Sequence, residues 1–516
     1  MTRFRKSTIL VFSIFICISL ASCTTELEHN GYNNYENDYA EEYNDNDATT
    51  DTANESPSND YISETPQVVF TGEPIHRDNL LWQDDRNRDW EHDIRLFGVM
   101  LLRHHPLLNE FDPELTKGIA SADYGESVLN NLLQKTAVRN GILADDIDDM
   151  RDELREIVID RINTLIINIP ERGDFEVKFG LSEIAALLYD LHTIVDLWNM
   201  GTFFPIELIA LYDGIYIIGI PKEMGHALYG ELIAIGGMDI DEVAERFMRV
   251  VPHENEYGLQ TTMTFFLAMN ELLQYINAID DSSVADFTIR NMDNEVFDIQ
   301  LQAMERDAFV DMGEADFIRH GFNTIIHINP YEYFWHEYFA NESLLYVRIS
   351  NFRPTDELFA ARSLLMEEIH NWQEQEKIDK LVLDLRQNPG GFWDALWPLD
   401  DDFAILSERV RHFYVLIDDD TFSVSVVATA NIKHYMDNVT IVGEPSGQLK
   451  NFFVGPVGFL PNSGIAYVVS RGTSMQSSSE YITLRPDIFI PLTIYDVINN
   501  LDPVMDFIWA GGVNTD

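Results

Sequence analysis

From Leu344 to Gly443 the chain alternates short apolar strands with turns and helical stretches. Leu345–Ile349 reads as a strand and Asp356–Glu376 as a helix. Leu381–Leu385 is a second apolar strand, ending at a glycine turn. Phe413–Ile417 is a third, Ser423–Met436 is helical, and Val439–Val442 is a further strand closed by Gly443. Strand–helix alternation with short glycine turns specifies an α/β core, and in such cores chemistry collects at the carboxyl ends of the strands.

The chain upstream has a different texture. Between Asn79 and Trp198 the periodicity is helical: Trp90–Leu102 and Asp145–Ile167 place apolar residues three and four apart, with charged residues opposite. Pro170–Gly173 breaks this pattern before another apolar-periodic segment, Leu181–Leu191. After Gly201, Phe204–Leu211 and Ile215–Gly219 flank Asp213-Gly214 and predict a hairpin. Leu232–Val243 reads as strand, turn and helix start, Leu259–Ile279 as helical, and Asp286–Pro330 as β-rich. No internal repeat is visible. The expected division is a helical domain over 67–200, a β-rich insert over 201–330 and the α/β core over 331–516.

The amino terminus carries Arg3, Arg5 and Lys6, then the apolar run Ile9–Leu20, then Ala21-Ser22-Cys23. A basic head, a short apolar stretch and small residues describe a secretory signal that is too short to span a bilayer. Leu20-Ala21-Ser22-Cys23 resembles the bacterial lipobox, which implies lipidation at Cys23 and an extracytoplasmic, membrane-anchored protein. Thr24–Thr65 holds twelve acidic residues and no Lys or Arg, without periodicity, so 24–66 reads as a disordered tether. Cys17 and Cys23 are the two cysteines, which leaves no disulfide framework and no cysteine-based zinc site.

The formal charge of the chain is −53. Without the signal and tether, 75 acidic residues still face 31 basic ones. Nucleic-acid binding needs Lys/Arg surfaces to neutralise phosphate, and this composition argues against it, as it does against a basic lipid-adhering patch. A body this acidic favours basic peptides over acidic ones.

Three segments of the last third carry candidate chemistry. Asp384-Leu-Arg-Gln-Asn-Pro-Gly-Gly391 follows an apolar strand, and its glycines can present bare backbone N–H groups. Asp420-Thr-Phe-Ser-Val-Ser425 follows another strand and enters a helix, where free N–H groups favour negative charge. Val442-Gly-Glu-Pro-Ser-Gly447 is the third, with Leu460-Pro-Asn-Ser-Gly464 and Arg485-Pro-Asp-Ile488 downstream. Each alone reads as an ordinary turn or an N-cap, and no Gly-x-Ser-x-Gly elbow occurs.

Together, in this order and spacing, the blocks resemble the tail-specific, or C-terminal-processing, serine peptidases. The resemblance covers about Leu344 to Gly511 and extends upstream to Asp190-Leu-His-Thr193. Gly230-x-Leu-x-Ala-Ile-Gly-Gly237 and the hairpin before it look like the family's PDZ-like insert. The resemblance implies a crotonase- or ClpP-like core of ββα units, peptide or protein substrates, and no metal or organic cofactor. It makes Ser423 the nucleophile, with Ser425 as fallback, and draws the oxyanion hole from Gly390 or Gly391 with Val424.

One branch of the family takes its base from a lysine twenty-five residues after the serine. Gln448 stands at that position, and Lys450 is two residues out of register. The other branch, similar to the tricorn protease core, uses an upstream histidine and a late glutamate. His192 and Glu480 match these, although Leu191 replaces a serine that the branch carries before its histidine. Imidazole suits the task because it takes and returns a proton near neutral pH, and a carboxylate then orients it. His104-His105-Pro106 reads as a helix end. Trp335-His-Glu-Tyr-Phe339 lacks the second histidine of a zinc helix, which excludes that kind of metalloprotease. The rival to an active peptidase is an idle relative that binds peptides or apolar ligands in the same cleft.

Overall fold

The computed structural model describes residues 84–110, 116–118, 122–197, 201–280, 282–373, 378–408, 410–475 and 482–512. The signal, the tether and Cys23 lie outside the described residues. Four helices follow one another at the start: α1 Asp85–His104, α2 Ala122–Arg139, α3 Ile147–Ile167 and α4 Asp174–Ala186. Ile94, Phe97 and Leu101 on α1 meet Leu154, Val158 and Ile162 on α3, all fully buried at helical spacing. Gly98 permits this approach, because a Cβ there would lie 2.6 Å from Ile162 Cδ1. The apolar segment expected over Leu181–Leu191 ends as helix at Ala186. Tyr189 then takes a positive φ of 50°, and the chain turns so that residues 190–193 form a loop.

The β-rich insert is a seven-stranded sheet. Its main path runs Phe317–Arg319, Gly214–Pro221, Glu231–Ile235, Val284–Arg290 and Val296–Gln302, all neighbours antiparallel. The Asp213-Gly214 turn joins Glu207–Leu211 to Gly214–Pro221 as the hairpin predicts. The helical stretch expected over Leu259–Ile279 is two helices, Glu256–Phe266 and Asn270–Tyr275.

The α/β core has six strands in sequence order: β1 Phe334–Phe339, β2 Leu344–Ile349, β3 Lys380–Asp384, β4 His412–Ile417, β5 Val439–Gly443 and β6 Ile488–Phe489. β1 is antiparallel to β2, and the remaining pairs are parallel. The crossovers are α5 Asp356–Gln373, α6 Trp393–Ser407 and α7 Val424–Tyr435. Leu345, Val347, Leu381, Leu383, Phe413 and Val415 pack on these three helices. The alternate residues Leu344, Tyr346, Val382, Tyr414 and Leu416 pack on Val504, Met505 and Ile508 of α8, Pro503–Trp509. Both faces are therefore covered, which is why the strands read as continuous apolar runs.

Chain order and packing part company after β5. Phe452–Val454 pairs with Gly472–Met475, which pairs in turn with Thr116–Gly118 of the helical region. Ala466–Val468 pairs with Ile194–Val195, directly after the 190–193 loop. Phe453, Leu460, Ile465, Tyr467 and Val469 belong to the core of the helices and the insert. Among the described residues, no helix is long and apolar enough to cross a membrane.

Candidate active site

Two turns at the carboxyl ends of β3 and β4 lie side by side, and Asn388 ties them together. Its carbonyl accepts the N–H of Phe422 and the hydroxyl of Ser425, its Oδ1 accepts the Gly390 N–H, and its Nδ2 donates to the Ile349 carbonyl. Below it, the buried Asp384 accepts from Tyr346 Oη and from Arg386, and Arg386 also binds Asp502. Burial alone would raise the Asp384 carboxyl, but Arg386 and Arg348 beside it hold it below the ordinary range.

Ser423 stands between β4 and α7 with φ 54° and ψ −119°, a conformation that L-residues avoid. The turn thus projects the hydroxyl as a strained elbow without the flanking glycines that usually mark one. Gly390 makes room for it: φ is +90°, and a Cβ there would lie 2.7 Å from Ser423 Cβ and from Val424 N. Its N–H is engaged by Asn388, however. The Gly390 carbonyl is fixed on Phe352 N at 2.8 Å, so the trans peptide turns the Gly391 N–H the opposite way. Among the described residues no hydrogen bond takes the N–H of Gly391 or of Val424. Gly391 and Val424 are therefore the available oxyanion donors, and Gly390 is the spacer. Ser425, the fallback nucleophile, is fully buried and donates to Asn388, which removes it from consideration.

His192 comes from the loop after α4, and its Nε2 lies 3.3 Å from Ser423 Oγ. The ring is clamped between Phe422 and Phe452, with centroids 4.8 and 5.2 Å away and planes 16° and 12° apart. Asp190 holds the loop: it is fully buried and accepts the His192 N–H, Thr193 Oγ1, Ser470 Oγ and His105 Nε2. Burial would raise Asp190, but the His105 contact and the other donors hold it low. Burial lowers the His192 imidazole to about 4, with the Asp190 charge opposing the shift.

At the far edge of the ring, Gln448 Nε2 lies 3.2 Å from His192 Nδ1, and Gln448 Oε1 accepts the Ser423 N–H at 2.5 Å. Glu254 completes the surroundings. Its carboxylate accepts the N–H groups of Leu191 and Leu449 and hydrogen-bonds the Gln448 side chain. Burial pushes it up to about 8, and the Asp190 charge adds to the rise. Asn255 next to it donates to the Ser446 carbonyl, and Gly258 lies directly on Gly447.

The structure thus brings together Ser423, His192, Gly391 and Val424. Glu480 lies outside the described residues. The partner at Ser423 Oγ is His192, and Lys450 is not needed there. Asp487 anchors the β5 edge, accepting from Ile441 N and Lys433 Nζ. The 460–464 turn is a staple, with the N–H groups of Asn462 and Ser463 on Asp93. Trp335–Phe339 lies in strand β1, not on a helix. Sequence reasoning missed Asn388, His105, Glu254 and the positive role of Gln448. The polar His253-Glu254-Asn255 run in apolar surroundings was the one available signal for Glu254.

Residues 343–404, from β2 through most of α6, match the model of Peptidase family S41. No curated protein sequence matches the chain significantly. Among solved structures, mature CPAF complexed with lactacystin is similar in fold, with a TM-score of 0.51 at 11% identity over 82% of this chain and 97% of that one. The photosystem II D1 C-terminal processing protease aligns with a TM-score of 0.31 and 15% identity, over 70% of this chain and 92% of that chain.

Proposed function

We propose, starting from a chain that belongs to the tail-specific, or C-terminal-processing, peptidase family, that it cleaves peptide bonds through an acyl-enzyme on Ser423. The observation that carries this reading is the 3.3 Å approach of His192 Nε2 to Ser423 Oγ on a strained turn. In the first step Nε2 takes the hydroxyl proton as Oγ attacks the carbonyl carbon. The developing oxyanion meets the N–H groups of Gly391 and Val424. The imidazolium returns the proton to the leaving amine as the C–N bond breaks. Water, deprotonated by the same nitrogen, then releases the acid and restores Ser423. A histidine rather than a lysine at Ser423 favours the tricorn-like branch, in which Glu480 takes the orienting role.

The experiment is labelling with a fluorophosphonate probe, wild type beside Ser423→Ala and His192→Ala. Labelling lost in Ser423→Ala and strongly reduced in His192→Ala is the expected result; equal labelling of wild type and Ser423→Ala removes Ser423 from the mechanism. Peptide binding retained in Ser423→Ala, with turnover by neither protein, would favour the idle-relative reading. The chain is further read as a lipoprotein held outside the cytoplasm at Cys23. Incorporation of labelled fatty acid, lost in Cys23→Ala, is the expected outcome in a bacterial host, and incorporation that survives the substitution would refute the anchor.

A further inference from the structure

We propose that Gln448 is a positioning residue that holds this peptidase in a resting state, keeping the His192 ring proton on Nε2, where it faces Ser423 Oγ. The inference rests on the serine-peptidase reading above and concerns the same site. Its starting point is that a backbone N–H can only donate. The Ser423 N–H meets one end of the Gln448 amide, so that end is the oxygen, Oε1. The other end, the NH2 group, therefore faces His192 Nδ1 at 3.2 Å. The Gln448 side chain also hydrogen-bonds the Glu254 carboxyl, which itself accepts the N–H groups of Leu191 and Leu449. The amide is fully buried, and both of its ends are matched.

A nitrogen that accepts a hydrogen bond carries no proton, so the neutral ring is protonated at Nε2. That nitrogen then donates to Ser423 Oγ when catalysis needs it to accept. Exchanging the ring edges by rotation is opposed by Phe422 and Phe452, which hold both faces. Turning the amide over would free the productive tautomer, but would set its NH2 against the Ser423 N–H. Serine-protease triads show the size of such an effect: an amide in place of the orienting carboxylate lowers turnover roughly ten-thousand-fold through the wrong tautomer.

Gln448→Glu replaces the donor facing Nδ1 with an acceptor while keeping an oxygen for the Ser423 N–H. The titratable groups around the ring in the wild type are Asp190, whose charge acts on it, and Glu254, which burial pushes up to about 8. The full-length protein labelled with 15N-histidine is compared as wild type, Gln448→Glu and Gln448→Met, with His192→Phe to assign the resonance. Wild-type His192 is expected with a bare Nδ1 and a protonated Nε2, and Gln448→Glu with a protonated Nδ1. Fluorophosphonate labelling is expected to rise at least about tenfold in Gln448→Glu, and its acid limb to move toward neutral pH as a carboxylate joins the ring. Gln448→Met, which has no donor for Nδ1, should label faster than wild type and serves if the glutamate variant does not fold. A protonated Nδ1 in the wild type, or slower labelling by a folded Gln448→Met, overturns the proposal. Labelling that survives Ser423→Ala in every background would sink the serine-nucleophile reading instead, while the nitrogen shifts still decide the tautomer.

Discussion

Ser423 and His192 meet at 3.3 Å, but they are held by two kinds of construction. On the α/β side, backbone geometry does the placing. Two strand ends fix two turns, Asn388 links them, and a glycine of φ +90° leaves room for a serine in a strained conformation. On the helical side no strand or helix carries the histidine. A loop is wrapped around one buried carboxylate, Asp190, whose four donors come from His105, His192, Thr193 and Ser470. The first construction tolerates little change in shape. The second depends on keeping a charge satisfied, and fails when its hydrogen bonds are removed.

The comparison can be broken at its stiffest point with Gly390→Ala. The added methyl would press on Ser423 Cβ and Val424 N. Fluorophosphonate labelling should fall roughly 10²-fold, as for a nucleophile displaced by about an ångström, with stability lowered by about 1–3 kcal/mol through the strained backbone. A labelling rate within threefold of wild type would show that the turn is softer than this reading requires.

Asp190→Ala tests the other side. It orphans buried donors and should lower stability by about 3 kcal/mol, read by chemical denaturation, with labelling reduced in parallel. Asp190→Asn keeps one acceptor oxygen and should recover part of both. Equal losses in the two variants would mean that the charge matters more than the hydrogen-bond count.

A third prediction concerns pH. In the proposed mechanism the neutral ring acts as base, and burial lowers His192 to about 4. The labelling rate should therefore hold through pH 5 and fall with a midpoint near 4, instead of near the unperturbed value of about 6.5. The unfolded chain takes up a proton at this histidine below about 6.5 that the folded chain refuses, so stability also declines as pH drops through that window. Glu254, pushed up to about 8, acts in the opposite sense: its burial erodes stability as pH rises from its unfolded value of about 4.3 toward 8. A labelling midpoint above 6 would contradict the desolvated ring.

The smallest effect is expected at Asp487, whose contacts with Ile441 N and Lys433 are half exposed. Asp487→Asn should cost under about 1 kcal/mol and leave labelling unchanged. A larger loss would make the β5 edge part of the stiff construction.

The centre of the α/β core was largely legible because its four inner strands are buried on both faces, whereas the partly exposed edge strands Phe334–Phe339 and Ile488–Phe489 were not. Predicted and observed strands agree to within a residue or two at Leu344–Ile349, Lys380–Asp384, His412–Ile417 and Val439–Gly443. Ser423 and His192 were legible through their short motifs. The choice between Gly390 and Gly391 was not, because it turns on which N–H Asn388 Oδ1 accepts. His105, Glu254 and Gln448 were not, because the contacts of His105 with Asp190, Glu254 with Leu191 and Leu449, and Gln448 with His192 each join residues 63 or more apart in sequence. Gln448 read in the sequence only as an absent lysine. Its amide has a use that shows only when the Ser423 N–H and the His192 ring are seen on either side of it.

The strands that join residues 452–475 to 116–118 and 194–195 have a consequence for the order of assembly. His192 and Ser423 are separated by 231 residues, and Phe452, one wall of the histidine clamp, arrives later still. Contacts of such long range form late in folding. A chain still being synthesised holds a histidine loop with no serine, then a serine with an incomplete clamp. On the proposed mechanism, the polypeptide is therefore inert toward its neighbours, and toward itself, until almost its whole length has come together.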